Sequence, residues 1–436
     1  MIGHSDATFF TAPATNPRMG ARNPLSTCLS GSALGMGCRA HVANLQDVRF
    51  TPAQHGSHPS RPSMQSVSSN ILAKAGDVVT PSARQGYVDA FRGLLIAHMA
   101  LDHASLMFNA GRAGEELAAG AAPASGDLLQ FLTRFTGVPV APAFFFMAGF
   151  MVALTSASRE QRGLPHAEVT RRLILRGLVL IAVDALVMGL PRAAMGFYSF
   201  VVLSSIGAAI ILLALVRDAP GKVLLGAAIA MLALHPLLDV SALPLPLRAV
   251  LYEPVRSGAF RSLYPVVPWA GIAVVGFVVG RGALQRREPA RFWLGLAGAC
   301  LALFLAIRLN GGYGNAYAYT KVDSLAFWTF AKYPPDLPFL AWSFVAIFAG
   351  LAVLWWVTRS GVPLWLRPFV IFGRVPFFFY VVHFYVLGIA AAAVHTKWGL
   401  APTYLIWLLL LVLMLWPCAW YYRKKRDRPN WVTRYF

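Results

Sequence analysis

The 436-residue chain has little charge and less acid: 13% of its residues are charged, with 18 Asp and Glu against 38 Lys and Arg, for a formal net charge of +20. Soluble domains commonly carry about 25% charged residues, so an ordinary globular protein is excluded. Cysteine is scarce, four residues in all. Cys28 and Cys38 lie near the beginning, Cys300 and Cys418 sit inside apolar runs, and no C-x-x-C pair occurs. Neither disulfides nor a zinc site is expected. H-E-x-x-H and an EF-hand loop are missing, so no metal motif supports a metalloenzyme. GxxxxGK[ST] and a strand-linked GxGxxG are missing too, which leaves nucleotide hydrolysis and dinucleotide redox chemistry without support. The basic residues flank apolar runs instead of forming aromatic-interleaved patches. That distribution points to orientation in a membrane and not to nucleic acid.

What the chain has is apolar length, with 57% hydrophobic residues. Residues 1–85 are rich in Ser, Pro, Ala, Gly and Asn and lack periodicity, so a disordered tail is expected. This tail has no continuous apolar h-region and no clear amphipathic helix, and Met64 is an alternative start. Residues 86–436 form the membrane domain. Ten candidate spans centre on residues 88–108, 138–157, 172–190, 197–216, 222–239, 264–281, 291–308, 337–357, 369–393 and 401–421. The expected fold is an all-α polytopic transmembrane bundle, with Gly149, Gly177, Gly207 and Gly276 permitting close helix contact. With the N-terminus inside, the inner connections hold Arg159, Arg162, Arg171, Arg172, Arg217, Lys222, Arg281, Arg286, Arg287, Arg291, Arg359 and Arg367, and the tail RKKRDRPNWVTRYF adds more. The outer loops hold about half as many, so both termini are expected in the cytoplasm. Two outer loops, 109–137 with Glu115, Glu116 and Asp127, and the aromatic 309–336, are longer than a connection requires.

The first span, GYVDAFRGLLIAHMALDHASLMF, carries Asp89, Arg92, His98, Asp102 and His103. Such groups are costly in hydrocarbon and face a protein interior or a wet cavity. At about 100° per residue, Asp89, Arg92 and His103 fall within roughly 60° of one another, with His98 and Asp102 on the opposite side. The helix has two polar stripes.

VDAFRGLLIAHMALDH, VPVAPAFFFMAGF, LYPVVPWAGIAVVGFVVG, AKYPPDLPFL, FGRVPFFFYVVHF and LWPCAWYYRKKRD follow one another along residues 86–436. In this order and spacing they resemble bacterial proteins related to heparan-alpha-glucosaminide N-acetyltransferase. The resemblance implies a multi-pass acyltransferase of a bacterial inner membrane, taking an acetyl or related acyl group from cytoplasmic acetyl-CoA or another acyl-CoA. Its acceptor would be a sugar or envelope glycan presented from across the membrane. Membrane lipid, acyl-CoA and the glycan are the implied partners, and a homo-oligomer is left open. The catalytic histidine of the lysosomal enzyme lies in a loop motif that does not align here, so His103 is a positional candidate.

Acyl transfer needs a base for the acceptor's proton and donors for the tetrahedral oxyanion. His103 suits the first role, because imidazole titrates near neutral pH. Asp102 points about 100° away from it and can reach His98 at i−4. Arg92, about 16 Å below His103 along the axis, is expected to hold the donor's phosphate end, with Asp89 positioning its guanidinium. An Asp89 to Arg92 anchor at the interface is the plainer alternative. In the ninth span Arg374 and Pro376 fit a helix start, and His383 near its middle needs a partner, with His103 a candidate. The candidate catalytic residues are therefore His103, His383 and Asp102, and the donor-binding ones Arg92, Asp89 and Arg374. Tyr380 or Tyr385 can supply an oxyanion donor, although Phe377, Phe378, Phe379 and Phe384 favour core packing for both. Asp184, eight residues after Arg176, is expected to form a structural ion pair, with His98 or the Asp89 and Arg92 stripe as partner. Lys332, before the eighth span, is either an acceptor contact or a snorkelling lysine. A transporter using intramembrane His and Asp sites is the alternative function.

Overall fold

The computed structural model describes residues 83–112, 114, 127–194, 196–255, 258–286, 288–319, 321–428 and 430. The expected disordered tail, with Cys28, Cys38 and Met64, and the loop acids Glu115 and Glu116 lie outside the described residues. The helices run in order α1 (Ala83–Phe108), α2 (Leu128–Phe135), α3 (Val140–Gln161), α4 (His166–Ala182), α5 (Leu190–Ala194), α6 (Val202–Val216), α7 (Gly221–Leu234), α8 (Leu245–Leu251), α9 (Val266–Leu284), α10 (Pro289–Asn310), α11 (Leu337–Thr358), α12 (Arg367–Arg374), α13 (Pro376–Val394) and α14 (Leu400–Asp427). A π-helical turn, Val183–Val187, continues α4. Two three-residue strands, β1 (Tyr198–Phe200) and β2 (Phe260–Ser262), pair in parallel.

Seven helical segments among the described residues are long and apolar enough to cross a membrane: 128–161, 166–193, α9, α10, α11, α13 and α14. The chain is a multi-pass integral membrane protein with a helical bundle fold. The segments α6 and 221–237 are apolar but shorter, and α1, 26 residues long, carries the charged stripe. The outer faces of α10 and α14 present Leu303, Leu309, Leu409, Val412 and Trp416, as lipid contact requires. The expected spans centre on helices, but those at α1, α6 and 221–237 are not among the seven crossing-competent segments, and the ninth differs in another way. The ninth is broken at Val375, and Arg374 ends α12 while Pro376 begins α13. Proline lacks an N–H and disfavours helical geometry in the residue before it, so it starts a helix more readily than it continues one.

Helix α1 is the axis of the bundle, packing on α12 and touching α3, α11, α13 and α14. Glycines set the closest crossings reciprocally. A β-carbon on Gly93 would collide with the Phe369 carbonyl, and one on Gly373 with the Asp89 carbonyl, which locks α1 to α12. Gly149 and Gly276 do the same between α3 and α9, and Gly177 and Gly207 between α4 and α6. Such approach exchanges side-chain volume for backbone contact, the usual glue between helices where lipid removes the hydrophobic drive.

The loop between α10 and α11 is organised from both polarities of its backbone. Buried Arg308 donates to the carbonyls of Phe327 at 2.8 Å, Tyr317 at 2.9 Å, Ala326 at 2.7 Å and Thr329 at 3.3 Å. Asp336 collects amides instead, with Oδ1 accepting from Phe339 at 2.8 Å and Oδ2 from Ala331 at 3.1 Å and Ala316 at 3.4 Å. The first of these contacts also caps α11.

Candidate functional site

The two polar stripes of α1 meet different partners. Near its start, Asp89 accepts from Arg374 Nε at 3.2 Å and lies 3.6 Å from Arg92 Nη1. Arg374 also donates to the Tyr422 hydroxyl on α14 at 3.0 Å. The glycine crossing of α1 and α12 brings these groups together, because it presses the Asp89 backbone against Gly373, one residue before Arg374.

His103 stands eleven residues beyond Arg92, about 16 Å along the axis. Its Nδ1 lies 2.8 Å from Nε2 of His383, and the rings stack with centroids 5.1 Å apart and planes 8° from parallel. His383 is fully buried, with its Nδ1 2.8 Å from the Phe379 carbonyl oxygen. A carbonyl only accepts, so Nδ1 of His383 carries a proton. With both rings neutral, Nε2 of His383 is then an acceptor and the shared proton belongs to His103 Nδ1. The other nitrogen of His103, Nε2, keeps its lone pair.

A slot of about 840 Å³, counting its open mouth, runs alongside. Arg92 and Arg176 line it towards the start of α1, Met99, Met147, Met151 and Ile206 are among its walls, and Tyr380 lines it towards the histidines. Tyr380 is in ring contact with both, at 6.4 Å from His103 and 5.8 Å from His383. Asp89 and His103 do not line the slot themselves. Arg159 and Lys425 are within electrostatic reach of Arg176, and Lys425 of Arg92 as well. Four cations thus cluster at the Arg92 end of the slot, two of them in its lining. Asp89, shared with Arg374, is the carboxylate beside Arg92.

The second stripe faces the opposite end. Asp102 accepts from Arg112 Nη1 at 2.8 Å and makes no hydrogen bond to His98 among the described residues. The expected i−4 contact gives way because a guanidinium is the stronger partner for a carboxylate. Arg134 and Lys332 join Asp102 and Arg112 in lining a polar cleft of about 350 Å³. His98 lies against Gly137, which also lines that cleft.

Asp184 reaches neither His98 nor the Asp89 and Arg92 stripe. Fully buried in the π turn, it accepts from the Ser204 amide at 3.0 Å and the Val201 amide at 3.3 Å, and pairs with Arg192 at 3.5 Å. The exposed amides of a helix start suit an anion, and the start of α6 supplies them. Arg176 sits about 12 Å below Asp184 on the same helix and turns to the slot. Sequence reasoning missed Arg176 and Lys425 as neighbours of Arg92, because their meeting depends on how α4 and α14 pack. It also missed Arg112 and Arg134 as neighbours of Asp102. Cys300 and Cys418 are free thiols.

The sequence profile of the family described as heparan-alpha-glucosaminide N-acetyltransferase, catalytic, matches residues 84–307, about half of the chain. The chain belongs to that family. No curated protein sequence matches it. The match to the heparan-alpha-glucosaminide N-acetyltransferase family makes it a membrane protein of acetyltransferase type. It takes in Asp89, Arg92, Asp102, His103 and Arg176 and stops before Arg374, His383 and Lys425, which are tied to the same place by their contacts.

Proposed function

We propose that the protein transfers an acetyl or similar acyl group from cytoplasmic acyl-CoA to a hydroxyl or amine of a sugar or envelope glycan. The observation that carries this reading is the His103 and His383 pair set beyond an apolar slot whose mouth gathers Arg92, Arg176 and Lys425. Half-buried like charges repel one another, and a phosphate-bearing ligand relieves that cost. The spacing of about 16 Å from Arg92 to His103 suits a pantetheine arm extended through the slot. In this reading Asp89, Arg374 and Tyr422 hold the mouth in shape. Asp102 sits in the cleft with Arg112, Arg134 and Lys332, where the acceptor arrives from the other side of the membrane.

The acceptor's O–H or N–H gives its proton to Nε2 of His103 as its heteroatom bonds to the thioester carbon. His383, accepting at Nε2 and anchored to Phe379, fixes the ring and stabilises the imidazolium. The tetrahedral intermediate re-forms its C=O, breaks the C–S bond, and the departing thiolate takes the proton back from His103. Acyl-CoA and acceptor become acylated acceptor and CoA.

The test uses purified protein in detergent with radiolabelled acetyl-CoA and an extract of envelope glycans. Label should pass to glycan with the wild type and fall by about 10²–10⁴-fold with His103→Ala. Calorimetry should show Arg92→Ala weakening acetyl-CoA binding about tenfold, roughly 1.4 kcal/mol. Unchanged affinity would remove Arg92 from the donor site. Binding without any transfer would favour a transporter.

A further inference from the structure

The tyrosine between slot and histidines has a hydroxyl that the fold does not use. Tyr380 is 8% exposed and lines the slot. Among the described residues its oxygen makes no hydrogen bond to protein, yet it is not one of the sealed, unsatisfied polar atoms, a group that does include the hydroxyl of Tyr421. It is therefore open to the slot. The other tyrosine of the same helix is spent, since the Tyr385 hydroxyl donates to the Val187 carbonyl.

The surroundings of Tyr380 keep this region polar in an otherwise apolar passage. Asp184, Arg192 and Tyr264 are within electrostatic reach of its hydroxyl. Asp184 and Arg192 form an ion pair, with Arg192 donating to Ser199 at 2.7 Å, so their charges largely cancel. The π turn that carries Asp184 is a local irregularity of a kind that is frequent at functional sites. A phenol keeps its proton at neutral pH and donates it along one direction. Its ring is in contact with His103 and His383, which fixes where the hydroxyl oxygen stands while leaving its O–H free to turn to a ligand in the slot.

We infer that Tyr380 is a catalytic residue: its O–H donates a hydrogen bond to the thioester carbonyl oxygen and to the oxyanion that this oxygen becomes. The inference rests on the donor-slot reading. When the acceptor's heteroatom adds to the carbonyl carbon, the C=O π pair moves onto oxygen, and the acceptor's proton moves to Nε2 of His103. Tyr380 keeps its own proton throughout. When the C=O re-forms, the C–S pair leaves with sulfur and the hydrogen bond weakens to its ground-state strength. The donor is preorganised in a water-poor site, where such a contact is worth most.

Tyr380→Phe removes one oxygen and leaves the packed ring, so the size-exclusion profile should match the wild type and acetyl-CoA affinity should weaken by no more than about tenfold. Consumption of radiolabelled acetyl-CoA should fall by about 10²–10³ in kcat, with any rise in KM within the same bound as the affinity. A second reading uses acetyl-CoA labelled with ¹³C at the carbonyl. Its infrared stretch should move to lower wavenumber when bound to wild type, and not when bound to Tyr380→Phe. Equal kcat and equal stretch in the two proteins would overturn the role of Tyr380 and leave the donor slot standing. If Tyr380→Phe does not fold, an unshifted stretch in the wild type alone overturns it. A wild type that neither binds nor consumes acetyl-CoA overturns the slot and this inference together.

Discussion

Two imidazoles in contact take their roles from what else each ring touches. His383 is committed on both nitrogens, to the Phe379 carbonyl and to His103, so in the proposed reaction it is the orienting ring and His103 the base. His383→Ala should therefore lower transfer through His103 without abolishing donor binding. The expected outcome is a fall in kcat smaller than that of His103→Ala, and a double variant no worse than His103→Ala alone, since the two act as one unit. Rates of labelled transfer for the three proteins decide this, and additive losses would separate the pair. The stripe holding Asp89, Arg92 and His103 was legible in the sequence because helical periodicity is fixed by the backbone. That His383 wants a partner was legible from its depth. The competition for Asp102 was not, because Arg112 lies past the end of α1 and its return depends on loop geometry that no periodicity encodes.

Each helix crossing at the site is only as close as its smallest residues allow. Gly373 touches the Asp89 backbone next to the carboxylate that Arg374 and Arg92 share. Gly373→Ala must move α12 away from α1, and overpacking of this kind costs about 1–3 kcal/mol. A lower melting temperature should accompany weaker acetyl-CoA binding, with the His103 pair left in place further along α13. The break at Val375 makes α12 and α13 separate helices, so a shift of α12 need not be carried along α13. Gly149, Gly177, Gly207 and Gly276 stood out in the sequence as small residues in apolar runs. Gly93 and Gly373 did not, because each adjoins an arginine and its close contact depends on how α1 and α12 pack. The loop between α10 and α11 offers a separate test. Arg308→Ala leaves several buried carbonyls without a donor and should cost about 3–5 kcal/mol. Asp336→Asn keeps the cap to Phe339 but turns an amide N–H₂ towards the Ala331 and Ala316 donors, costing about 1–2 kcal/mol. Limited proteolysis within residues 311–336 should quicken in both, more in the first.

Orientation belongs to the whole bundle, and the structure ties it to the ends of α1. Tyr87, near the start of α1, shares a small cleft with Arg286 in the connection from α9 to α10. Asp102, near its end, shares the polar cleft with Lys332 in the loop before α11. The two connections therefore lie at opposite ends of the bundle, and the excess of Arg and Lys belongs to the Arg286 end. Under positive-inside bias the Arg286 end is the expected cytoplasmic side, which is the side on which the proposed reaction needs the slot's arginines, and the Asp102 cleft is the expected outer side. The proposed transfer requires this direction: a reversed bundle would offer Arg92 and Arg176 to a compartment without the proposed donor. Arg286→Cys and Lys321→Cys, each in a cysteine-free background, should respond oppositely to a thiol reagent that does not cross membranes. In intact cells Lys321→Cys should be labelled and Arg286→Cys protected until the membrane is opened. The reverse pattern would put the cation cluster outside, and transfer from cytoplasmic acyl-CoA would then have no route to His103.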